Sequence, residues 1–517
     1  MSSFFTSRVD PTYTFQKKMD GSASYKELHE AFVSNLSGTS VADVGLVINT
    51  ASISVVIRNV VAAFIFYPTT IKTRFSLDFI SYVLPTELCV TVLSDHYLFF
   101  HTSLICVSAA IVIFLYMTDN DRKQAKTIQR SRKKTRKGHL SSATSDKSVI
   151  NVYLNKLQEP MEGNRNFITN FRAFAIISTA ISILAVDFVI FPRRFAKAET
   201  YGSGLMDIGV GGFMISNAIV SPEARGKYNP TRNVREKLER ILKSFVSTAP
   251  LFILGGLRLL AVKSSEVAEH TSEYGVHWNF FFTLASVKVL STTILCFVDP
   301  RLSCGLATIV TIAHQMLLSY CGGMSYIIYG SDGFGSRSNI IDANREGIVS
   351  SLGYSAIYFA GIHIGHLLFS KRSSLQLFVH LVGVSAIFYM LVWCCGAYSE
   401  LISRRAANLP YILWMIACNV QIIGGLLLAE MATEAFHLFI HKKPGDQKEC
   451  FSLLEAINEN GLLFFLLANI LTGTINLLMK TIYAPPAVGL LVVTVYLFVL
   501  SVVMFYLKAK NIKTKIW

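Results

Sequence analysis

Runs of about 20 mostly apolar residues, each long enough to cross a bilayer, recur along this chain, and nothing else in it constrains the fold as strongly. They lie near 41–66, 79–94, 98–117, 168–190, 201–220, 241–262, 280–298, 302–321, 348–369, 375–396, 408–430, 461–481 and 487–507. A backbone in lipid must satisfy its own N–H and C=O groups, which leaves helices or a closed barrel. No period-two alternation competes with these runs, so a barrel is excluded. The expected fold is therefore all-α: a polytopic transmembrane helical bundle of about 13 spans. Composition agrees, at 52% hydrophobic and 16% charged with mean hydropathy +0.45, where soluble domains carry about a quarter charged residues. Turn chemistry punctuates the runs at Asp299-Pro300-Arg301 and Ala484-Pro485-Pro486.

Charge gives an orientation. The formal net charge of +15 is concentrated in a few connections. The largest is "DRKQAKTIQRSRKKTRKG" (Asp121 to Gly138), followed by "RGKYNPTRNVREKLER" (Arg225 to Arg240), Lys371-Arg372, Lys442-Lys443 and the tail from Lys508. Alternating crossings put these on one side, with about 30 Lys and Arg against about 12 on the other. The expected topology has a lumenal N-terminus and a cytosolic C-terminus. A basic block of this kind in a soluble chain reads as a nucleic-acid patch. Next to a span it reads as a solvated cytosolic loop near anionic lipid, and no nucleic-acid partner is expected. The resulting division is a lumenal segment 1–40, a membrane domain 41–507 containing a basic cytosolic loop 118–165, and a cytosolic tail 508–517. Residues 1–40 hold Arg8, Lys17, Lys18 and Asp20 and no apolar core. No cleavable signal peptide is expected there, and the first span is expected to direct insertion.

The chain ends "KTKIW", which places Lys513 and Lys515 at the fifth and third positions from the end. Such a cytosolic tail resembles the dilysine address read by retrieval coats, so a multi-pass protein of the endoplasmic reticulum is expected. The nine cysteines have no C-x-x-C spacing and lie mostly in apolar runs, as packing residues do. His363 and His366 have no acidic companion nearby, and no metal site is expected.

One hairpin departs from the apolar pattern. "AVDFVIFPRRFAKAETYGSGLMDIGVG" (Ala185 to Gly211) carries Asp187 and Asp207 inside apolar sequence, with Arg193, Arg194 and Lys197 between them. Pro192 should end the preceding helix. Both carboxylates are within reach of the cationic connection, and ionisable groups at membrane depth mark functional sites. An ion-pair clasp that only holds the hairpin shut has the same composition. "GSGLMDIGVGG" follows no strand, so it is no dinucleotide fingerprint. Its glycines should thin a helix face so that another helix or a lipid headgroup can approach. In the twelfth span, Asn469 and Asn476 lie two turns apart, with Lys480 not far round the helix. That stripe either lines a substrate cavity or holds helices together.

"DFVIFPRRFAKAETYGSGLMDIGVGGFMISNAIVSPEAR" resembles the glycosylphosphatidylinositol (GPI) inositol acyltransferases of the phosphatidylinositol-glycan class W type. So do "YKELHEAFVSNLSGTSVADV", "VLPTELCVTVLSD", "SRRAANLPYILWMIACNVQI" and "LLFFLLANILTGTINLLMKTIYAP". The resemblance implies an enzyme that moves a fatty acyl group, usually palmitoyl, from acyl-CoA to the inositol 2-hydroxyl of glucosaminyl-phosphatidylinositol. It maps the family's acid and lysine onto Asp187 and Lys197. In those roles Asp187 is the general base and Lys197 the oxyanion partner. Arg193 and Arg194 are expected to hold the lipid phosphate, with Asp207, Asn469, Asn476 and Lys480 as further substrate-binding residues. Acyl-CoA is then a co-substrate, membrane lipids are the surroundings, and no cofactor is expected. A lipid transporter or scramblase is the competing reading, since it too keeps intramembrane charges and glycine-broken helices.

Overall fold

The computed structural model describes residues 25–65, 70–133, 153–161, 163, 165–228, 233–264, 271–439 and 451–514. Among these residues there is no strand, only isolated bridges such as Thr39 with Ser203. Ten helices among the described residues are long and apolar enough to cross a membrane. The most enclosed are Arg345–Leu368, Leu409–Phe436 and Asn166–Ala185, at 78%, 72% and 61% buried, so these three form the centre. The outer helices turn large apolar side chains outward, among them Phe99, Leu257, Ile309, Trp393 and Phe498. An apolar belt of that extent is the surface of a multi-pass membrane protein.

Three expected spans take other forms. The segment 79–94 belongs to a helical run of Ile71–Asp78, a π-turn Phe79–Val83 and Leu84–Val90, so the helix is locally underwound rather than regular. The segment 280–298 is the shorter helix Phe280–Leu295. The segment 201–220 becomes a 3₁₀ turn Leu205–Asp207 and a helix Ile208–Ala218. Its 11 residues rise only ~16 Å, about half a bilayer core. The missing turns lie at Tyr201 to Gly204, where close backbone approach replaces helix. A Cβ on Gly202 (φ +141°) would sit 1.9 Å from the Ser37 carbonyl oxygen, and one on Gly204 1.9 Å from that of Ala196. The expected thinning of a helix face appears further on. A Cβ on Gly211 would meet Met415 Sδ at 2.4 Å, so this glycine lets the helix Leu409–Phe439 pack against its backbone.

Contacts between connections sort into two sets. At one end Glu199 N–H donates to Leu36 O, Gly202 N–H to Ile402 O, and Val276 N–H to Ala343 O. At the other, Met161 N–H donates to Arg372 O, and Leu453 N–H to the Asp78 carboxylate. We call these the hairpin end and the basic end. The helix Tyr97–Lys133 continues well past its apolar part, Tyr97–Phe114, into the basic sequence. Residues 134–152 of the basic loop lie outside the described residues.

Candidate active site

Beyond the helix Asn166–Ala185 the chain turns irregularly, and one arginine side chain collects the carbonyls of that turn. Arg193 Nη2 donates to the carbonyls of Val186 (2.8 Å), Phe188 (3.2 Å) and Phe191 (2.9 Å). Its guanidinium also stacks 3.9 Å from the Phe32 ring centroid. Arg193 therefore holds its own hairpin in shape, satisfying carbonyls of a turn that lacks a helix's regular backbone ladder. Burial lowers its pKa to about 10, against the opposing pull of Asp187. Arg194 turns away from Arg193, pairing with Asp95 at 2.6 Å and donating to Ser94 O at 2.9 Å.

The two hairpin carboxylates separate. Asp207 is fully buried. It pairs with Arg404 Nε at 2.8 Å and accepts the N–H groups of Gly204 (2.8 Å) and Ala198 (3.1 Å). Three donors on one carboxylate fix the return of the hairpin. Asp187 is also buried, but its partners come from other ends of the chain. Asn476 Nδ2 donates to Oδ2 at 2.8 Å, and His29 Nε2 lies 3.2 Å from Oδ1. The short helix Tyr25–Val33 presents His29. It is held there by Tyr25, which bonds Thr481 at 3.3 Å, and by Phe32 beneath Arg193. The buried Asn476 Oδ1 has no hydrogen-bond partner among the described residues.

Lys197 faces a third direction. Its Nζ donates to both oxygens of Glu273, at 2.8 and 2.9 Å. Glu273 also meets Arg404 Nη1 at 3.4 Å, so Lys197, Glu273, Arg404 and Asp207 form one alternating chain of charge. Burial alone would raise the Glu273 carboxyl, but Lys197 and then Arg404 outweigh it and hold the pKa at about 2.

Lys197 and Glu273 line a cavity of about 180 Å³ together with Arg258, Asn419 and Asn469. The rest of its wall is largely apolar. Side chains from Phe171 to Ile183 follow it along one helix, about 18 Å at 1.5 Å per residue. Asp187 is not on this wall, since it turns to His29 and Asn476. The hairpin thus has two faces, with Lys197 on the cavity wall and Asp187 in a polar cluster.

The remaining candidates divide between these faces. Asn469 lines the cavity and donates to Phe465 O at 2.7 Å, while Asn476 belongs to the Asp187 cluster. Lys480 is exposed, 5.8 Å from the Tyr25 ring centroid. At the far end of the molecule Lys513 is exposed, and Lys515 lies outside the described residues. Sequence reasoning missed His29, Glu273 and Arg404 as members of the site. Arg404 stands in the quoted "SRRAANLP" block, and two adjacent arginines before a span were its available signal. His29 likewise stands in the quoted "YKELHEAF" block, whereas Glu273 carried no signal.

A family model described as GWT1 matches residues 25–507. The mouse glucosaminyl-phosphatidylinositol-acyltransferase PIGW is 32% identical over 96% of this chain and 100% of its own length. The human protein of that name is 32% identical over 95% of this chain and 99% of its own. The GPI-anchored wall transfer protein 1 of Gibberella zeae is 33% identical over 96% and 100%. With the match running from the helix that carries His29 to the last membrane helix, the chain belongs to the GWT1 family.

Proposed function

We propose that this protein is an acyltransferase of the endoplasmic reticulum membrane. It moves a fatty acyl group such as palmitoyl from acyl-CoA to the inositol 2-hydroxyl of glucosaminyl-phosphatidylinositol, a step of GPI-anchor biosynthesis. The relatives named for acylation of that lipid support the activity. One observation carries the site: a single hairpin joins an apolar cavity with a cation on its wall to a cluster of hydroxyl acceptors. An acyl thioester suits the first face and a polyhydroxylated headgroup the second. The buried, unpartnered Asn476 Oδ1 beside Asp187 is an acceptor waiting for a donor, and a ring hydroxyl provides one.

The chemistry follows from these groups. A secondary alcohol attacks a thioester slowly unless its proton is removed in the transition state, which is worth roughly 10²–10⁴-fold. Asp187 takes that proton. Glu273 is the other carboxylate near the reaction path, but a group held at about 2 is a weak base at neutral pH. It acts as the counter-ion that keeps Lys197 in place. As the carbonyl becomes tetrahedral, Lys197 stabilises its oxygen, an effect on the order of 3 kcal/mol for a preorganised donor. Collapse then expels the CoA thiolate. Direct transfer needs no acyl-enzyme. Arg193 and Arg194 act on the headgroup through the hairpin that they hold in shape.

The test is purified protein in detergent with labelled palmitoyl-CoA and glucosaminyl-phosphatidylinositol. Label appearing as an alkali-labile ester on the inositol ring supports the proposal. Movement of unmodified lipid between leaflets of a proteoliposome, with no ester formed, overturns it in favour of a scramblase.

A further inference from the structure

Arg172 lies six residues beyond Asn166, about 9 Å along the helix Asn166–Ala185, where an ionised side chain is costly. Its Nε donates to Ser216 Oγ at 3.3 Å, on the helix Ile208–Ala218. Among the described residues no carboxylate forms an ion pair with it, and the charge that acts on it is another cation, Arg225. Arg225 and Arg165 bracket the ring of Phe369, their guanidinium carbons 5.5 and 5.4 Å from its centroid. Arg165 otherwise donates to Ser370 O at 3.2 Å. Neither neighbouring acid pairs with these arginines among the described residues. Glu430 accepts the Phe167 N–H at 3.3 Å, whereas Glu223 forms no ion pair with the arginines and its buried Oε2 has no hydrogen-bond partner among the described residues.

Three guanidinium groups therefore gather at the basic end of the bundle without a paired carboxylate among the described residues. Arg172 is the one of the three that lies within a span, and a cation taken out of water ordinarily has a partner, because the desolvation cost is several kcal/mol. An arginine that merely snorkels would extend its head to the interface. Arg172 instead lies against a neighbouring helix. Its position also matters: Phe171 and Phe174 line the apolar cavity on one side, and Gly212 and Phe213 on the other. The arginines thus stand at the end of that cavity remote from Lys197.

We propose that Arg165, Arg172 and Arg225 bind the phosphate of an acyl-bearing phosphate ester whose apolar part enters the cavity. Guanidinium groups match phosphate oxygens in charge and geometry. Two sources share this chemistry: the nucleotide phosphates of an acyl-CoA, or the headgroup of an anionic phospholipid. The first rests on the acyl-transfer reading above. It places the donor's phosphates at the basic end and its thioester toward Lys197.

Equilibrium binding separates the sources without relying on turnover. The probes are palmitoyl-CoA and palmitoyl-pantetheine, which keeps the thioester and chain but lacks the nucleotide phosphates. The proteins are wild type, Arg172→Gln, Arg172→Lys and Arg225→Gln, in phosphatidylcholine nanodiscs with and without phosphatidylserine. Each Gln variant should bind palmitoyl-CoA about tenfold to a hundredfold more weakly, the range for losing a charge-assisted hydrogen bond. Arg172→Lys should recover part of the loss, and palmitoyl-pantetheine binding should not move. A lipid source instead leaves both probes unchanged, while the Gln variants lose any rise in melting temperature that phosphatidylserine gives the wild type. Arg225 is exposed, so its variant reports even if Arg172→Gln folds poorly. The proposal is overturned if the variants match wild type on both readouts, or if both probes weaken equally. A protein that binds palmitoyl-CoA through these arginines yet transfers nothing overturns the acyl-transfer reading alone.

Discussion

Replacing Glu273 by Gln removes the negative centre between Lys197 and Arg404 while keeping the side-chain volume. In the folded protein its carboxyl is held at about 2, against an ordinary value of 4.5. At ~1.4 kcal/mol for each tenfold change, that gap corresponds to stabilisation on the order of 3 kcal/mol. The figure is an upper bound for the pair, since the Glu273 side chain keeps 17% of its exposure and water screens part of the interaction. The sign follows from the direction. A depressed carboxyl contributes fully above its unfolded value of about 4.5, and the contribution disappears as pH falls from there through about 2. Glu273→Gln should therefore unfold at a lower temperature than wild type at pH 7. The two melting temperatures should approach each other as pH is lowered across that window. Tryptophan fluorescence in detergent reads the transition, with Trp278 and Trp414 in the described structure as reporters. Parallel curves from pH 7 to pH 2 would refute the idea that Lys197 and Arg404 are what hold this carboxylate.

Other perturbations test neighbouring parts of the account. Arg404→Met leaves Asp207 buried with only its backbone donors and should cost about 3–5 kcal/mol, seen as a loss of folded yield. Adding Asp207→Asn should restore much of that yield, and an uncorrected double variant counts against the ion pair as the fold's lock. Gly204→Ala puts a methyl 1.9 Å from the Ala196 carbonyl oxygen, so size-exclusion profiles should show misfolded protein. Gly209→Ala, with open space at that position, should be tolerated. Changing both Lys513 and Lys515 to Ser should let part of the protein leave the endoplasmic reticulum with activity retained. Unchanged Golgi processing of a reporter carrying this tail reduces it to a basic anchor.

The helices were legible because each run of apolar sequence long enough to span is compelled to satisfy its own backbone. Pro300 and Pro485 mark breaks where they were expected, at the start of a turn and of a helix, whereas the helix before Pro192 already ends at Ala185 and Pro192 only opens the turn that follows. Tyr201 to Gly204 misled for a definite reason: hydropathy averages over a window and does not see Gly202 and Gly204 pressed against other backbone. The hairpin's acids and bases stood out in the sequence, but their partners did not. Proximity along the chain suggested that they would pair with one another. Instead Asp187 is met by Asn476, 289 residues on, and Asp207 by Arg404, 197 residues on. Lys197 meets Glu273 across 76 residues. No periodicity encodes such meetings, which exist only once the bundle has closed. Arg172 was present in an expected span throughout, and its interest arises only from the lack of a paired acid among the described residues.

The central claim is that the hairpin performs chemistry rather than merely holding the fold together. Asp187→Asn tests it most directly, because the amide keeps the shape and can still hydrogen-bond to His29 and Asn476. The measurement is single-turnover transfer of palmitoyl from bound palmitoyl-CoA to glucosaminyl-phosphatidylinositol, on protein whose melting temperature is recorded in the same preparation. The account predicts a melting temperature close to wild type and a transfer rate lower by roughly 10²-fold or more. A well-folded Asp187→Asn protein that transfers at a near-normal rate would contradict it.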